Sequence, residues 1–136
     1  MKMKLLLFIF TLLTFVSCRD HTDMVAIFKR INNAYKSGGL YTMLNEFDPD
    51  VRVLTTSGGR QTSGGSRELI AWFNLLGRAN RRIEFSVVRT RRGATTTQAD
   101  YKLTRWTDTR VITETGTIYV PKSTGRINLI THVLSI

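Results

Sequence analysis

Three side chains in the second half of this sequence, Arg105, Glu114 and His132, are of types that do chemistry together: a fixed cation, an acid and a ring that titrates near neutrality. A carboxylate beside a guanidinium can hold a polar ligand. A carboxylate beside an imidazole can move a proton as general acid and base. Whether these groups meet depends on strand register. From Arg82 onward the hydrophobic period is two, which predicts strands at Arg82 to Arg91, Thr95 to Trp106, Arg110 to Val120 and Arg126 to Ile136. Turns fall at Arg92-Gly93, Asp108-Thr109 and Ser123-Thr124-Gly125. A two-residue turn at Asp108-Thr109 sets Trp106 opposite Val111, Leu103 opposite Glu114, Tyr101 opposite Gly116 and Ala99 opposite Ile118.

With that register one face carries Ala99, Tyr101, Leu103, Ile112, Ile118 and Val120, and the other is threonine-rich with Asp100 and Lys102. A slip of one residue would mix the two sets, so the apolar pattern supports the register. Arg105 and Glu114 both land on the apolar face, Arg105 opposite Ile112 and diagonal to Glu114. One reading makes them a polar pocket, with Tyr101 and Trp72 as further ligand-binding candidates and Glu114, Arg105 and His132 as catalytic ones. The other makes them a structural ion pair, because a buried acid needs a partner merely to be tolerated. His132, alone on the last strand, divides the same way between a general base and a satisfied polar residue.

The elements that must position these groups begin with helices. Asp20-His21-Thr22-Asp23 supplies cap chemistry, and Met24, Ile27, Phe28, Ile31, Ala34 and Tyr35 recur at helical spacing, predicting a helix over about residues 22–37 that Gly38-Gly39 ends. A shorter helix with Leu40, Met43, Leu44 and Phe47 on one face runs to Pro49. Val51 to Thr56 reads as a strand turned by Ser57-Gly58-Gly59. A third helix, started near Gly65 or Ser66, carries Leu69, Ile70, Trp72, Phe73 and Leu76 and is closed by Gly77. The order predicts an α+β domain, three helices near the start packed on a curved antiparallel sheet.

Before the domain stands a leader. Lys2 and Lys4 precede the mostly apolar run Leu5 to Val16, which small residues follow at Ser17 and Cys18: the order of a secretory signal peptide, too short for an ordinary membrane span. Residues 1–18 are therefore expected to be a signal peptide and residues 19–136 one exported domain. Phe15-Val16-Ser17-Cys18 also resembles a bacterial lipobox, with phenylalanine where leucine is usual, which would anchor the domain to a membrane through Cys18. Cys18 is the one cysteine, so no intramolecular disulfide can form and the core must hold the domain alone.

The element order, the helix end Lys36-Ser37-Gly38-Gly39-Leu40, the stretch Phe47-Asp48-Pro49-Asp50-Val51 and the run Gly65-Ser66-Arg67-Glu68-Leu69-Ile70 with Phe73 resemble the nuclear transport factor 2-like superfamily over about residues 23–136. That resemblance implies a cone-shaped fold shared with polyketide cyclases, ketosteroid isomerase and scytalone dehydratase. It also implies a ligand or protein partner in the cone, and a homodimer through the threonine-rich sheet face. In the isomerase branch a tyrosine donor, a carboxylate base and a second acid surround the cavity. Alignment through Gly38 and Phe47-Asp48-Pro49-Asp50 puts Asn32, Thr55 and Gly116 at those places, and none of the three carries the required group. The resemblance thus favours a non-catalytic binding domain over a small-molecule isomerase or lyase built on Glu114 with Arg105 or His132.

Two of the 20 basic residues lie in the leader, so 18 face 10 acidic residues and residues 19–136 carry +8. Arg81, Arg82, Arg89, Arg91 and Arg92 crowd the end of the third helix and the next hairpin. Such a rim could attract a polyanion through screened charge. Aromatic residues are not interleaved there and export separates the domain from nucleic acid, so no nucleic-acid partner is expected. The spacing holds no histidine pair, no thiol ligand and no phosphate loop, and no metal or cofactor is expected.

Overall fold

The computed structural model describes residues 23–135. The leader, its cleavage or lipidation at Cys18, and His21 lie outside the described residues. The chain runs through α1 (Met24–Lys36), α2 (Leu40–Leu44), β1 (Phe47–Ser57), β2 (Arg60–Gly64), α3 (Ser66–Ala79), β3 (Arg82–Arg92), β4 (Thr96–Trp106), β5 (Val111–Pro121) and β6 (Ile127–Val133).

The two longer helices are explained by their ends and their apolar stripes. The Asp23 side chain accepts from the Ala26 N–H at the start of α1. At its end Gly39 N–H donates to the Ala34 carbonyl and Gly38 N–H to Tyr35, with Gly38 at φ 73°, so the glycine takes the left-handed turn a side chain would resist. Met24, Ile27, Phe28, Ile31 and Ala34 are buried between these caps. Asn32 ties α1 to the sheet: its amide donates to the Phe85 carbonyl at 2.9 Å and its oxygen accepts from the Phe85 N–H at 2.8 Å. In α3 the Glu68 carboxylate reaches back to the Gly65 N–H at 2.6 Å, and Leu69, Phe73 and Leu76 face inward.

One six-stranded sheet, in the order β2-β1-β6-β5-β4-β3, wraps this helical layer. The β4–β5 hairpin has the register expected from the alternation: Trp106 pairs with Val111, Leu103 with Glu114, Tyr101 with Gly116 and Ala99 with Ile118. The register slips between Val87 and Arg89 on β3, a bulge that bends the strand around the helices. Phe28, Phe85, Tyr101 and Phe73 interlock inside the curve, Phe28 stacking on Phe85 with centroids 5.8 Å apart and Tyr101 tilted against both.

Four expectations change. The sheet is mixed, because β1 pairs with β6 in parallel. The helices are not all N-terminal: two precede the first hairpin, one of only five residues, and α3 follows it. Pro49 lies inside β1, where the pairing with β6 skips from Phe47 to Arg52, a place where its missing N–H is tolerated. Finally, α3 continues past Gly77 to Ala79; Gly77 costs that helix about 1 kcal/mol against alanine but does not stop it.

Candidate functional site

The register that faces Tyr101 toward Gly116, and the pairing of Gly116 with His132 on β6, build one hydrogen-bonded chain across three neighbouring strands. The Tyr101 hydroxyl donates to the Thr131 carbonyl at 3.0 Å and lies 2.7 Å from His132 Nδ1. His132 Nε2 lies 3.0 Å from Glu114 Oε1, and a carboxylate can only accept, so Nε2 carries a proton. Arg105 grips Glu114 with two bonds, Nε to Oε1 at 3.0 Å and Nη2 to Oε2 at 3.3 Å. The Ser135 N–H donates to Oε2 at 2.7 Å. Asn80 completes the chain, accepting from Arg105 Nη1 at 3.0 Å and donating to the Leu76 carbonyl at 2.9 Å.

Room for this crossing comes from Gly116. A Cβ there would overlap the Thr131 carbonyl oxygen and the Tyr101 hydroxyl, so only glycine lets the phenol pass over β5 to the imidazole. Trp72 roofs the histidine, its ring 4.4 Å from the imidazole centroid. His132 and Tyr101 are each 1% exposed and Glu114 is 3% exposed. Beside Glu114 and Arg105 a cleft of about 140 Å³ opens between Trp72, Asn80 and Leu134. That is well below the roughly 300–1,000 Å³ of a typical ligand site.

Burial alone would push the Glu114 carboxyl up, but hydrogen bonds from His132, the Ser135 N–H and Arg105, with the His132 charge, outweigh it and hold the carboxyl at about 2. Burial, and then the Glu114 charge, push the Tyr101 phenol well above its ordinary value. The Glu114 shift has a sign that can be measured. A carboxyl lowered from 4.5 to about 2 stabilises the fold above pH 4.5 and loses that contribution as pH falls toward 2. Its size is about 3 kcal/mol at neutral pH. Urea unfolding should therefore show stability falling between about pH 5 and pH 2, with a smaller fall in Glu114→Gln.

Solved structures share this architecture. A nuclear transport factor 2-like protein of unknown function from Shewanella oneidensis MR-1 matches with a TM-score of 0.65 at 14% identity, over 82% of this chain and 96% of that one. A second such protein of unknown function, from Exiguobacterium sp. 255-15, matches at 0.56 and 14% identity, over 78% of this chain and 92% of that one. This chain has the nuclear transport factor 2-like fold. A protein described as a SnoaL-like polyketide cyclase, from Jannaschia sp. CCS1, also matches, at 0.55 and 12% identity over 79% of this chain and 82% of that one. At such identities the likeness carries the fold and no chemistry. No family model matches the chain, and no curated protein matches its sequence.

Asn32, Thr55 and Gly116, the positions the resemblance set against an isomerase's groups, all make contacts within the scaffold. Asn32 holds the Phe85 backbone, Thr55 pairs with His132 and Thr62, and Gly116 makes room for Tyr101. Of the sequence candidates, the fold joins Tyr101, His132, Glu114 and Arg105 in one chain, with Trp72 over it. Sequence reasoning missed Asn80 and the Ser135 amide, because a helix ended at Gly77 and a strand continued to Ile136 leave neither free to reach inward.

The arginine rim is a separate feature, and much of its charge is matched locally. Arg81 meets Asp108 at 2.5 Å, Arg82 meets Glu84 at 3.1 Å and lies 4.7 Å over the Trp106 ring, and Arg91 meets Asp100 at 2.9 Å. These pairs are exposed or half-exposed and add little stability. They do lower the field a polyanion would meet. Among the described residues Arg89 and Arg92 have no carboxylate within salt-bridge distance.

Proposed function

We propose that this chain is an exported, non-catalytic binding domain on a nuclear transport factor 2-like scaffold, taking up a small ligand or a protein partner. The observation that carries the reading is the saturation of Glu114. Its two oxygens accept four hydrogen bonds, two each, and its carboxyl is held at about 2. A general base needs a lone pair free for substrate and a proton affinity matched to the working pH, and Glu114 offers neither. His132 has both ring nitrogens engaged under Trp72, and the cone interior is filled with packed aliphatic and aromatic side chains. A homodimer through the outer sheet face, where Val111 and Val133 are exposed beside the threonines, belongs to the same proposal.

The test is turnover of whatever the protein holds. Native mass spectrometry of protein made in its own host with its own leader identifies a co-purifying small molecule, reports the subunit number, and separates a chain starting at Arg19 from a lipidated Cys18. Incubation of that molecule with the protein should return it unchanged. Conversion by the wild type that Glu114→Gln abolishes would overturn the reading in favour of an isomerase or lyase. Binding that instead weakens steeply with salt, and further in Arg89→Ala/Arg92→Ala, would move the function to the arginine rim.

A further inference from the structure

The filled cone leaves open where a small ligand would sit, and the helical layer offers a place. A groove of about 640 Å³ runs between the end of α1, α2 and α3, within the range of sites that hold small molecules. Its floor is apolar, formed by Met43 and Phe73, both buried in the core. Its walls are hydrogen-bond donors. Asn74 and Arg78 stand four residues apart on one face of α3, and the Tyr35 hydroxyl lines the groove from α1. Desolvation raises the Tyr35 phenol above its ordinary value, so this wall is partly dry and its proton stays available for donation.

Two features suit the groove to an anion with an apolar body. Among the described residues no carboxylate lies within salt-bridge distance of Arg78, which leaves its guanidinium free for a ligand. Gly77, in the last turn of α3, lines the groove without a side chain; a Cβ there would only touch the Tyr35 hydroxyl, at 3.4 Å, but a longer side chain would fill the space. The carbonyl end of α1 would oppose an anion, but the Gly38 and Gly39 N–H groups already bond the Tyr35 and Ala34 carbonyls there.

We infer that this groove binds a small carboxylate, its apolar body laid on Met43 and Phe73 and its carboxylate held by Arg78, with Tyr35 and Asn74 donating to it. The site rests on the binding-domain reading for its purpose, but its occupancy is measured independently of turnover.

The experiment titrates the purified protein with octanoate and with octanamide, following backbone amide resonances. Octanoate should shift Gly38, Asn74 and Gly77 saturably, and octanamide should bind at least tenfold more weakly. Arg78→Gln should weaken octanoate at least tenfold and leave octanamide nearly unchanged. Gly77→Leu, which fills the groove, should abolish both; each variant's remaining spectrum reports that it is folded. Shifts confined to the cleft beside Glu114, no saturable shift, or equal octanoate binding by wild type and Arg78→Gln would each overturn the site. None of those results would touch the non-catalytic reading, which falls only to turnover that Glu114→Gln abolishes.

Discussion

Replacing Glu114 with alanine is expected to lower the unfolding free energy by about 3–5 kcal/mol at pH 7, the usual result of removing one partner from a buried ion pair. The loss is large because four donors are orphaned together: two from Arg105, the proton on His132 Nε2 and the Ser135 N–H. Arg105 keeps only Asn80, and its side chain, 15% exposed, cannot turn to water without leaving the chain. Urea unfolding by circular dichroism measures the effect. The amide of Glu114→Gln should recover only part of it, since an –NH2 group would face donors where an oxygen now accepts.

Gly116→Ala should be the other severe substitution, costing about 3 kcal/mol or more. The added methyl overlaps a backbone oxygen, Thr131 O, as well as the Tyr101 hydroxyl, and the carbonyl is held in the β5–β6 ladder. Tyr101→Phe removes the hydroxyl but leaves both the Thr131 carbonyl and the ring carbon Cζ in the way of the methyl. The double variant Gly116→Ala/Tyr101→Phe should therefore stay close to Gly116→Ala in a thermal melt. Recovery to wild-type stability would mean that the hydroxyl alone dictates the glycine.

The inner half of the site was legible because alternation is a strong signal. Ala99, Tyr101 and Leu103 on β4 and Ile118 and Val120 on β5 share one face in this register, and the same face brings Glu114 beside Arg105. His132 could not be joined to them from the sequence, because the β5–β6 register depends on the turn from Pro121 to Arg126, whose length no hydrophobic pattern fixes. A signal for the link was present, however. Gly116, the one glycine in an otherwise threonine-rich and apolar strand, faces a tyrosine, and a close approach is the usual reason for glycine inside a strand.

Elsewhere, pairing between distant segments hid what local pattern could not show. β1 and β6 pair in parallel across more than 70 residues of chain, with nothing in either strand to announce the partner. β2, Arg60-Gln61-Thr62-Ser63-Gly64, is polar throughout and exposed over most of its length, so no alternation marks it as a strand. Gly77 misled in the opposite direction. Glycine most often ends a helix, but here α3 carries it for one more half turn, where it lines the groove beside Tyr35.

The central claim is that the charged chain in the cone serves the fold rather than a reaction. Catalytic groups are commonly held against stability, so that removing them leaves a protein as stable as before or more so. A double-mutant cycle on Arg105→Met and Glu114→Gln, read by urea unfolding at pH 7, tests the claim most directly. The account predicts that each single variant is destabilised and that the two are coupled by about 2 kcal/mol, within the range for residues in one buried network. A Glu114→Gln protein as stable as wild type, with coupling under about 0.5 kcal/mol, would contradict it.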